Sequence, residues 1–486
     1  MTSTVTAARP PFALRDADRT RLHGHLEAAI RRARAARSGT ALAAVTVVLD
    51  PRTDPTAIVV ASRREGEPWF VLEQPDRERS ALATLGCVAA LEAQGPDRFK
   101  EVAARWRRLA SDACCDTHDD RGRPRGAGPV AVGGFAFAPE GGQAPHWSGF
   151  APASLHVPEV AIARRGDDVR MTLHALARVG DVADELLHAL ELRCAELRDV
   201  GLPLLDPDPV GRVRVVSAMP PEHYEGAVAR AVERIRAGAL AKVVLAREVQ
   251  VHTSRGRTAP EGAVLGVLRE AFPSCYVFAV GRGDATFLAA SPELLVRRDG
   301  LRAGTLALAG STRRSADPAV DDHLGEQLLR SEKDRGEQEI VTRRIQRALE
   351  PIALWVTAAD EPQVVKMANI QHLATPIRAQ LAEHVPAVEL AGLLHPTPAV
   401  GGEPASVAAP LIPELEGLDR GWYAGPVGWT DLNEDGEFCV ALRCALLDGP
   451  VARCYAGVGV VRDSDPAAEL AETEIKLQAL LPVLAL

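Results

Sequence analysis

Of the fifty-six basic residues in this 486-residue chain, only five are lysine: Lys100, Lys242, Lys333, Lys366 and Lys476. A guanidinium stays protonated at any working pH, whereas a lysine amine can lose its proton in a partly desolvated site and act as a base. In so arginine-rich a chain, each lysine is a candidate for a position that arginine cannot fill. Three of them lie in dense blocks, Ala241-Lys242-Val243-Val244-Leu245-Ala246-Arg247, Ser331-Glu332-Lys333-Asp334 and Glu472-Thr473-Glu474-Ile475-Lys476. The last two blocks border carboxylates at helical spacing. Asp334 and Glu337 are three residues apart, as are Glu469 and Glu472, so each pair shares one face of a helix. If both faces meet in one cleft, their repulsion must be offset by a cation, and hard oxygen ligands suit Mg²⁺ better than zinc. If they do not meet, they are two ordinary solvated acidic faces.

Glycine-rich segments add a second clue: Leu308-Ala309-Gly310-Ser311, Gly401-Gly402, Gly421-Trp422-Tyr423-Ala424-Gly425 and Ala456-Gly457-Val458-Gly459. Glycine lets backbone N–H groups approach an anion closely, although tight turns use it equally well. None of these segments has the order of strand, loop, helix and lysine that a nucleotide phosphate loop requires. No H-E-x-x-H or G-x-S-x-G motif occurs, which removes support for a zinc protease or a serine hydrolase.

These residues must be positioned by a mixed set of elements. Apolar or β-branched runs bounded by turn formers predict strands at 42–49, 57–61, 69–72, 130–137, 157–163 and 169–176. Helical periodicity predicts helices at 18–37, 98–114 and 181–200, with an exposed loop at 116–128. Pro203-Leu204-Leu205-Asp206-Pro207-Asp208-Pro209 is the clearest punctuation, a stiff connection between domains or subdomains. Beyond it we expect a helix at 220–237, a strand at 242–251, a long charged helix at 331–349 and a closing helix at 467–481. Strands and helices do not alternate regularly enough for a doubly wound sheet, so the fold class is α+β with largely antiparallel sheets.

Composition narrows the function classes. Apolar residues make up 47% and charged residues 25% of the chain, and no apolar run reaches the roughly 20 residues that span a bilayer. Met1–Pro10 lacks the pattern of a secretory signal, so a cytoplasmic protein without a membrane partner is expected. The eight cysteines contain no C-x-x-C pair, which argues against a zinc site or disulfide framework. A net charge of −9 argues against nucleic-acid binding, and the arginine run at 30–37 fits the solvated side of an amphipathic helix.

Taken in order, ten blocks resemble the chorismate-utilising enzymes: KVVLAR at 242–247, SPELL at 291–295, LAGSTR at 308–313, SEKDRGE at 331–337, NIQHLATP at 369–376, LHPTPAVGG at 394–402, RGWYAGPVG at 420–428, VALR at 440–443, AGVGV at 456–460 and ELAETEIK at 469–476. The resemblance spans the chain from about Pro220 to its C-terminus. It implies a chorismate-binding fold, an antiparallel β-sandwich core with surrounding helices in two interlocked subdomains. Residues 1–209 would then contribute to the same fold as the catalytic part at 210–486.

Within that family the pattern is most similar to the isochorismate synthases. Members that add water at C2 carry a lysine where Lys242 stands, whereas anthranilate synthases carry glutamine. Aminodeoxychorismate synthases place a lysine just before the Gly-Ser/Thr pair, where this chain has Ala309. Salicylate synthases typically carry threonine where this chain has Ala399. The resemblance implies that Lys242, as a neutral amine, takes a proton from the water that attacks C2 of chorismate, while Glu293 protonates the departing C4 hydroxyl. Glu293 must therefore keep its proton to a higher pH than an ordinary carboxyl does.

By the same resemblance, Mg²⁺ would be held by Glu337 and Glu472 with support from Asp334 and Glu469. Tyr423, Arg443, Lys476 and the Gly457 backbone would grip the substrate carboxylates, with Gly310, Ser311 and Ala399 completing the binding site. His372 and His395 are expected to be structural or pocket-lining, Lys333 to form an ion pair on its own helix, and Lys366 to face solvent. The expected partner is the small molecule chorismate, with no obligatory glutaminase subunit, and the expected assembly is a monomer or homodimer. Such an enzyme would stand at the head of menaquinone or siderophore and salicylate-type biosynthesis.

Overall fold

The apolar run that follows Lys242 opens the strand Lys242–Thr253, whose first eight residues are buried on both faces. In a computed structural model, which describes residues 11–116, 122–209 and 211–485, this strand lies near one edge of the larger of two sheets. That sheet holds twelve strands among the described residues and the other ten, and every strand pairing within them is antiparallel. Strands from before and after Pro209 share both sheets. Trp69–Gln74 pairs with Tyr276–Arg282 in the larger, and Val130–Phe135 pairs with Pro426–Asp431 in the smaller. The 203–209 segment carries no helix or strand and connects the two parts.

The sheets enclose a common core with an aromatic centre. Trp147, 1% exposed, packs edge-on against Phe150 and Phe287 and stacks near Tyr455, while Phe150 meets Trp422 at 5.2 Å. Tyr455 in turn stacks on Tyr423 at 5.3 Å, so the core reaches directly to the residues of the glycine-rich segments. Two helices cover the strands that matter for chemistry. Glu332–Leu349 packs on the strand Arg302–Arg313, and Pro466–Leu477 packs on the strand Val451–Val460.

The expected elements and the observed ones differ at several places, three of which have a plain local cause. Residues 57–61 are not a strand but part of the helix Pro55–Ser62. Asp54 accepts hydrogen bonds from the N–H groups of Thr56 and Ala57, and Pro55 occupies the first turn. This cap overrides the β-branched residues behind it. The single strand expected at 157–163 is two, Ala153–Val157 and Val160–Arg165, in different sheets, because Pro158 interrupts the ladder. The helix Pro318–Arg330 was not foreseen; Asp317 caps it and Pro318 opens it. Of the loop expected at 116–128, residues 117–121 lie outside the described residues.

One buried ion pair fastens the Lys242 strand to its surroundings. Arg420 and Glu416 are each 4% exposed, and Arg420 Nε donates to Glu416 Oε2 at 3.0 Å. Arg420 also donates to the carbonyls of Val244 at 2.9 Å and Val400 at 2.8 Å, while Glu416 accepts from the Ala246 N–H at 2.7 Å. Removing one partner of such a pair leaves an uncompensated buried charge, at a cost of about 3–5 kcal/mol. Arg420→Met should therefore lower the urea midpoint strongly, and Arg420→Met with Glu416→Met should recover a large part of the loss. Additive losses in the double variant would show that the two side chains act independently.

Candidate active site

Tyr455, Gly457 and Gly459 alternate along the strand Val451–Val460 and so present one face, beside the Lys242 strand. Side chains at the two glycines would fill the space that this face encloses. A Cβ on Gly459 would strike the Glu337 carboxylate and stand 2.7 Å from Lys242 Cε, and one on Gly457 would stand 2.7 Å from the Tyr423 hydroxyl. The space is a narrow cavity of about 60 Å³. Among the sequence-derived candidates, Glu293, Gly310, Ser311, Glu337, Ala399, Tyr423, Arg443, Gly457, Glu472 and Lys476 all line it.

Lys242 sits just behind that lining. It is fully buried, and its Nζ lies 2.8 Å from Glu337 Oε1. The contact is one of charge only, since Nζ has no hydrogen-bond partner of regular geometry. Glu293 stands between two strands, Ala285–Ser291 in one sheet and Leu294–Asp299 in the other, so its position is set by the crossing of the chain between sheets. It is 4% exposed, and burial pushes its carboxyl up to about 8 despite the nearby cations Lys242, Lys476 and Arg443. At neutral pH it is a carboxylic acid with a proton to give.

Arg443 is held in an unusual backbone state. Its φ of +49° is left-handed, a conformation that costs a non-glycine residue roughly 1–2 kcal/mol. It directs a nearly buried guanidinium into the cavity, where one Nη donates to His372 Nε2 at 2.9 Å. His372 must then carry its proton on Nδ1, which faces the Gly310 carbonyl at 3.2 Å. Burial and the Arg443 charge hold this imidazole neutral. His372 thus lines the cavity and fixes the arginine. Tyr455 also lines it and was missed in the sequence, although its two-residue spacing from Gly457 and Gly459 carried the signal.

The carboxylates expected to bind a metal separate into two groups. Glu337 and Glu472 line the cavity, on two different helices. Glu472 accepts from Ser311 Oγ at 2.5 Å and pairs with Lys476 Nζ at 2.8 Å, and although burial raises it, these partners hold it below the ordinary carboxylate range. Lys476 also donates to the Gly457 carbonyl at 2.9 Å. Asp334 and Glu469 lie off the cavity lining. Asp334 packs under Gly310, whose φ is +72°, and Glu469 accepts from Lys333 at 2.8 Å. Lys333 therefore bridges two helices instead of pairing along its own. Lys366 faces solvent as expected, and there it pairs with Asp321 at 2.9 Å and Asp322 at 2.5 Å.

Among the described residues, no three His, Cys, Asp or Glu side chains meet as a preassembled metal cluster. The cavity offers two carboxylates, each neutralised by a lysine. That donor set fits Mg²⁺, which commonly takes one or two protein carboxylates and fills its remaining positions with water and substrate oxygens. No helix among the described residues is long and apolar enough to cross a membrane.

The chain is similar to known proteins over nearly its whole length. It is 37% identical over 470 residues to the salicylate biosynthesis isochorismate synthase of Pseudomonas aeruginosa, covering 94% of this chain and 93% of that one. It is 33% identical to the isochorismate synthase MenF of Bacillus subtilis, covering 85% and 87%. The solved structure of MenF, the menaquinone-specific isochorismate synthase from Escherichia coli, superposes with a TM-score of 0.74 at 26% identity, over 96% of this chain and all of that one. With its two antiparallel sheets, its cavity between them and a match to the family described as chorismate binding enzyme across residues 28–485, the chain belongs to the chorismate-binding enzymes.

Proposed function

We propose that this chain is a Mg²⁺-dependent isochorismate synthase, converting chorismate to isochorismate by adding water at C2 and expelling the C4 hydroxyl. The observation that carries this reading is the pair Lys242 and Glu293: a fully buried amine without a regular hydrogen bond, and a buried carboxyl that keeps its proton to about pH 8. Lys242 stands just behind the cavity wall at the start of one strand, and Glu293 lines the cavity from the turn between two others. Lys242 takes the proton of the attacking water, the ring double bonds shift, and Glu293 gives its proton to the C4 oxygen as the C–O bond breaks. One water enters and one leaves, so the net change is an isomerisation.

The remaining residues bind and orient. Arg443, fixed by His372, offers parallel N–H donors to a carboxylate, and the Tyr423 hydroxyl and Lys476 flank it. Glu337 and Glu472 would hold Mg²⁺, with Asp334 and Glu469 supporting them from outside the lining. When bound, the ion neutralises and orients the ring carboxylate of a dianionic substrate. Lys242 and Lys476 must leave those carboxylates for this arrangement to form. The resulting freedom of Lys242 is what a base requires.

Residues 1–209 and 210–486 act as one catalytic unit in this account, with the Pro-rich segment a crossover between them. The protein acts on chorismate as a monomer or homodimer in the cytoplasm, without a glutaminase subunit, because the position that marks water addition carries Lys242. Its product would enter menaquinone, siderophore or salicylate-type biosynthesis.

Purified protein incubated with chorismate and Mg²⁺ should give a mixture of chorismate and isochorismate by chromatography, without pyruvate, and EDTA should stop turnover. Salicylate with pyruvate would transfer the protein to the lyases. Lys242→Ala and Glu293→Gln should each lower kcat by about 10²–10⁴-fold while leaving the circular dichroism spectrum unchanged. Arg443→Lys should raise KM more than it lowers kcat, since it weakens a grip on substrate present before and during reaction.

The pH profile has a definite sign. Below about 8 Glu293 is protonated and can donate, and above it the acid is lost, so kcat/KM should fall as pH rises through that value. A profile that stays flat well above that pH would remove Glu293 from the role of acid.

A further inference from the structure

A second and larger cavity, about 810 Å³, lies behind the wall of the first. The segment His395–Gly402 forms part of the partition. It gives Ala399 and Val400 to the narrow cavity and His395, Gly401 and Gly402 to the large one. The large cavity opens to solvent and is bounded by the start of the helix Arg98–Ser111, the chain from Phe137 to Gln143 and the helix Ala405–Glu416. Its surface is mainly apolar, with Phe99, Phe137, Ala408 and Ile412 among the lining residues.

One charged group in this lining lacks a counter-charge. Arg98 is 4% exposed. Its Nη2 donates to the Ala136 carbonyl at 3.1 Å, its Nη1 makes a long contact of 3.4 Å with the Gly95 carbonyl, and its Nε has no partner. Among the described residues no carboxylate stands at ion-pair distance from it, and Glu140, exposed nearby, acts on it only at range. Burial lowers its pKa to about 10, so it remains a cation at neutral pH.

The other charged and imidazole groups in the lining, apart from the exposed Glu140, are already satisfied. Arg420 is paired with Glu416, and the His395 Nε2 contacts the Phe137 carbonyl in a ring that burial keeps neutral. The Asp419 carboxylate accepts from the N–H groups of Gln143, Ala144 and Gly421. An unpaired buried charge is costly, and an anion that enters the cavity beside it relieves that cost. Guanidinium and carboxylate match in geometry, and the mainly apolar lining suits an apolar body.

We infer that this second cavity is a binding site for a small apolar molecule carrying one carboxylate, with Arg98 as its anion partner. It is separate from the chorismate cavity and independent of the reaction assigned there.

Isothermal titration calorimetry of the full chain with 3-phenylpropanoate, and with 3-phenylpropanamide as its uncharged counterpart, tests the site. The carboxylate should bind saturably at one site, and the amide at least about tenfold more weakly, as expected for loss of a charge-assisted contact. Arg98→Met should weaken carboxylate binding to a similar degree, and Arg98→Lys should restore part of it. Arg443→Met, which removes the guanidinium of the narrow cavity, should bind the probe as the unaltered protein does. Because Arg98→Met removes a buried side chain, a second variant fills the cavity from its helical wall. Ala405→Phe with Ala409→Trp, one turn apart on the helix Ala405–Glu416, should abolish binding without disturbing the core. Equal affinity for acid and amide, unaltered binding in the filled variant, loss of binding in Arg443→Met, or no saturable binding at millimolar concentrations would each overturn the inference.

Discussion

The ion pair between Arg420 and Glu416 is the constraint on which the site depends. Two charges almost wholly removed from water are not a source of stability in themselves, because desolvation consumes most of their attraction. Their effect is positional. Arg420 holds the carbonyls of Val244 and Val400, Glu416 holds the Ala246 N–H, and the guanidinium lies 4.3 Å over the Phe137 ring. These bonds join the strand that begins at Lys242, the partition 395–402, the helix Ala405–Glu416 and the segment that leads into Tyr423. A neutral residue at either position could fill the volume but could not satisfy these three backbone groups, two on the Lys242 strand and one in the partition.

In and around the cavity the same physics is used more loosely. Lys242 faces Glu337, Lys476 faces Glu472, and Lys333 faces Glu469, so three acidic side chains are each balanced by one lysine. A lysine is a compact charge on a flexible stem with a single ammonium, and it is exchanged more readily than a forked arginine. Lysine at these positions and arginine at Arg420 and Arg443 set exchangeable contacts beside fixed ones. Glu337, Glu472 and Lys476 stand in the wall of the cavity of about 60 Å³, so two of these pairs border the space within it.

Much of this was legible from the sequence, and the failures have physical causes. The strand at Lys242, the helices carrying the acidic pairs and the antiparallel α+β class follow from local apolar patterning and capping, which sequence displays directly. The ten ordered blocks also located the cavity lining. Residues 55–62 were misread because an N-cap at Asp54 and a proline outweigh two valines, and the strand at 157–163 because Pro158 moves the chain from one sheet to the other. The distribution of partners was hidden altogether. Spacing gives a shared helical face for Glu469 and Glu472, but only packing turns Glu469 toward Lys333 and Glu472 toward Ser311 and Lys476. The unpaired state of Arg98 and the partition between two cavities likewise arise from chain segments far apart in sequence.

Two glutamates show why burial alone does not define a catalytic acid. Glu437 is 3% exposed and Glu293 is 4% exposed, so both lose nearly the same hydration. Burial raises both, yet Glu437 ends at about 2 and Glu293 at about 8. The difference lies in their partners. Glu437 accepts from Arg297 at 2.8 Å, Arg77 at 2.9 Å and the Tyr276 hydroxyl at 2.7 Å, which together stabilise the anion well beyond the cost of desolvation. The Glu293 carboxyl has cations in its neighbourhood but no such hydrogen bonds among the described residues, so its neutral form prevails. A carboxyl tied down by three donors is an anchor and cannot release a proton it does not hold. A carboxyl left without donors, in the lining of a cavity that also holds Arg443 and Lys476, retains both the proton and an open side toward that cavity.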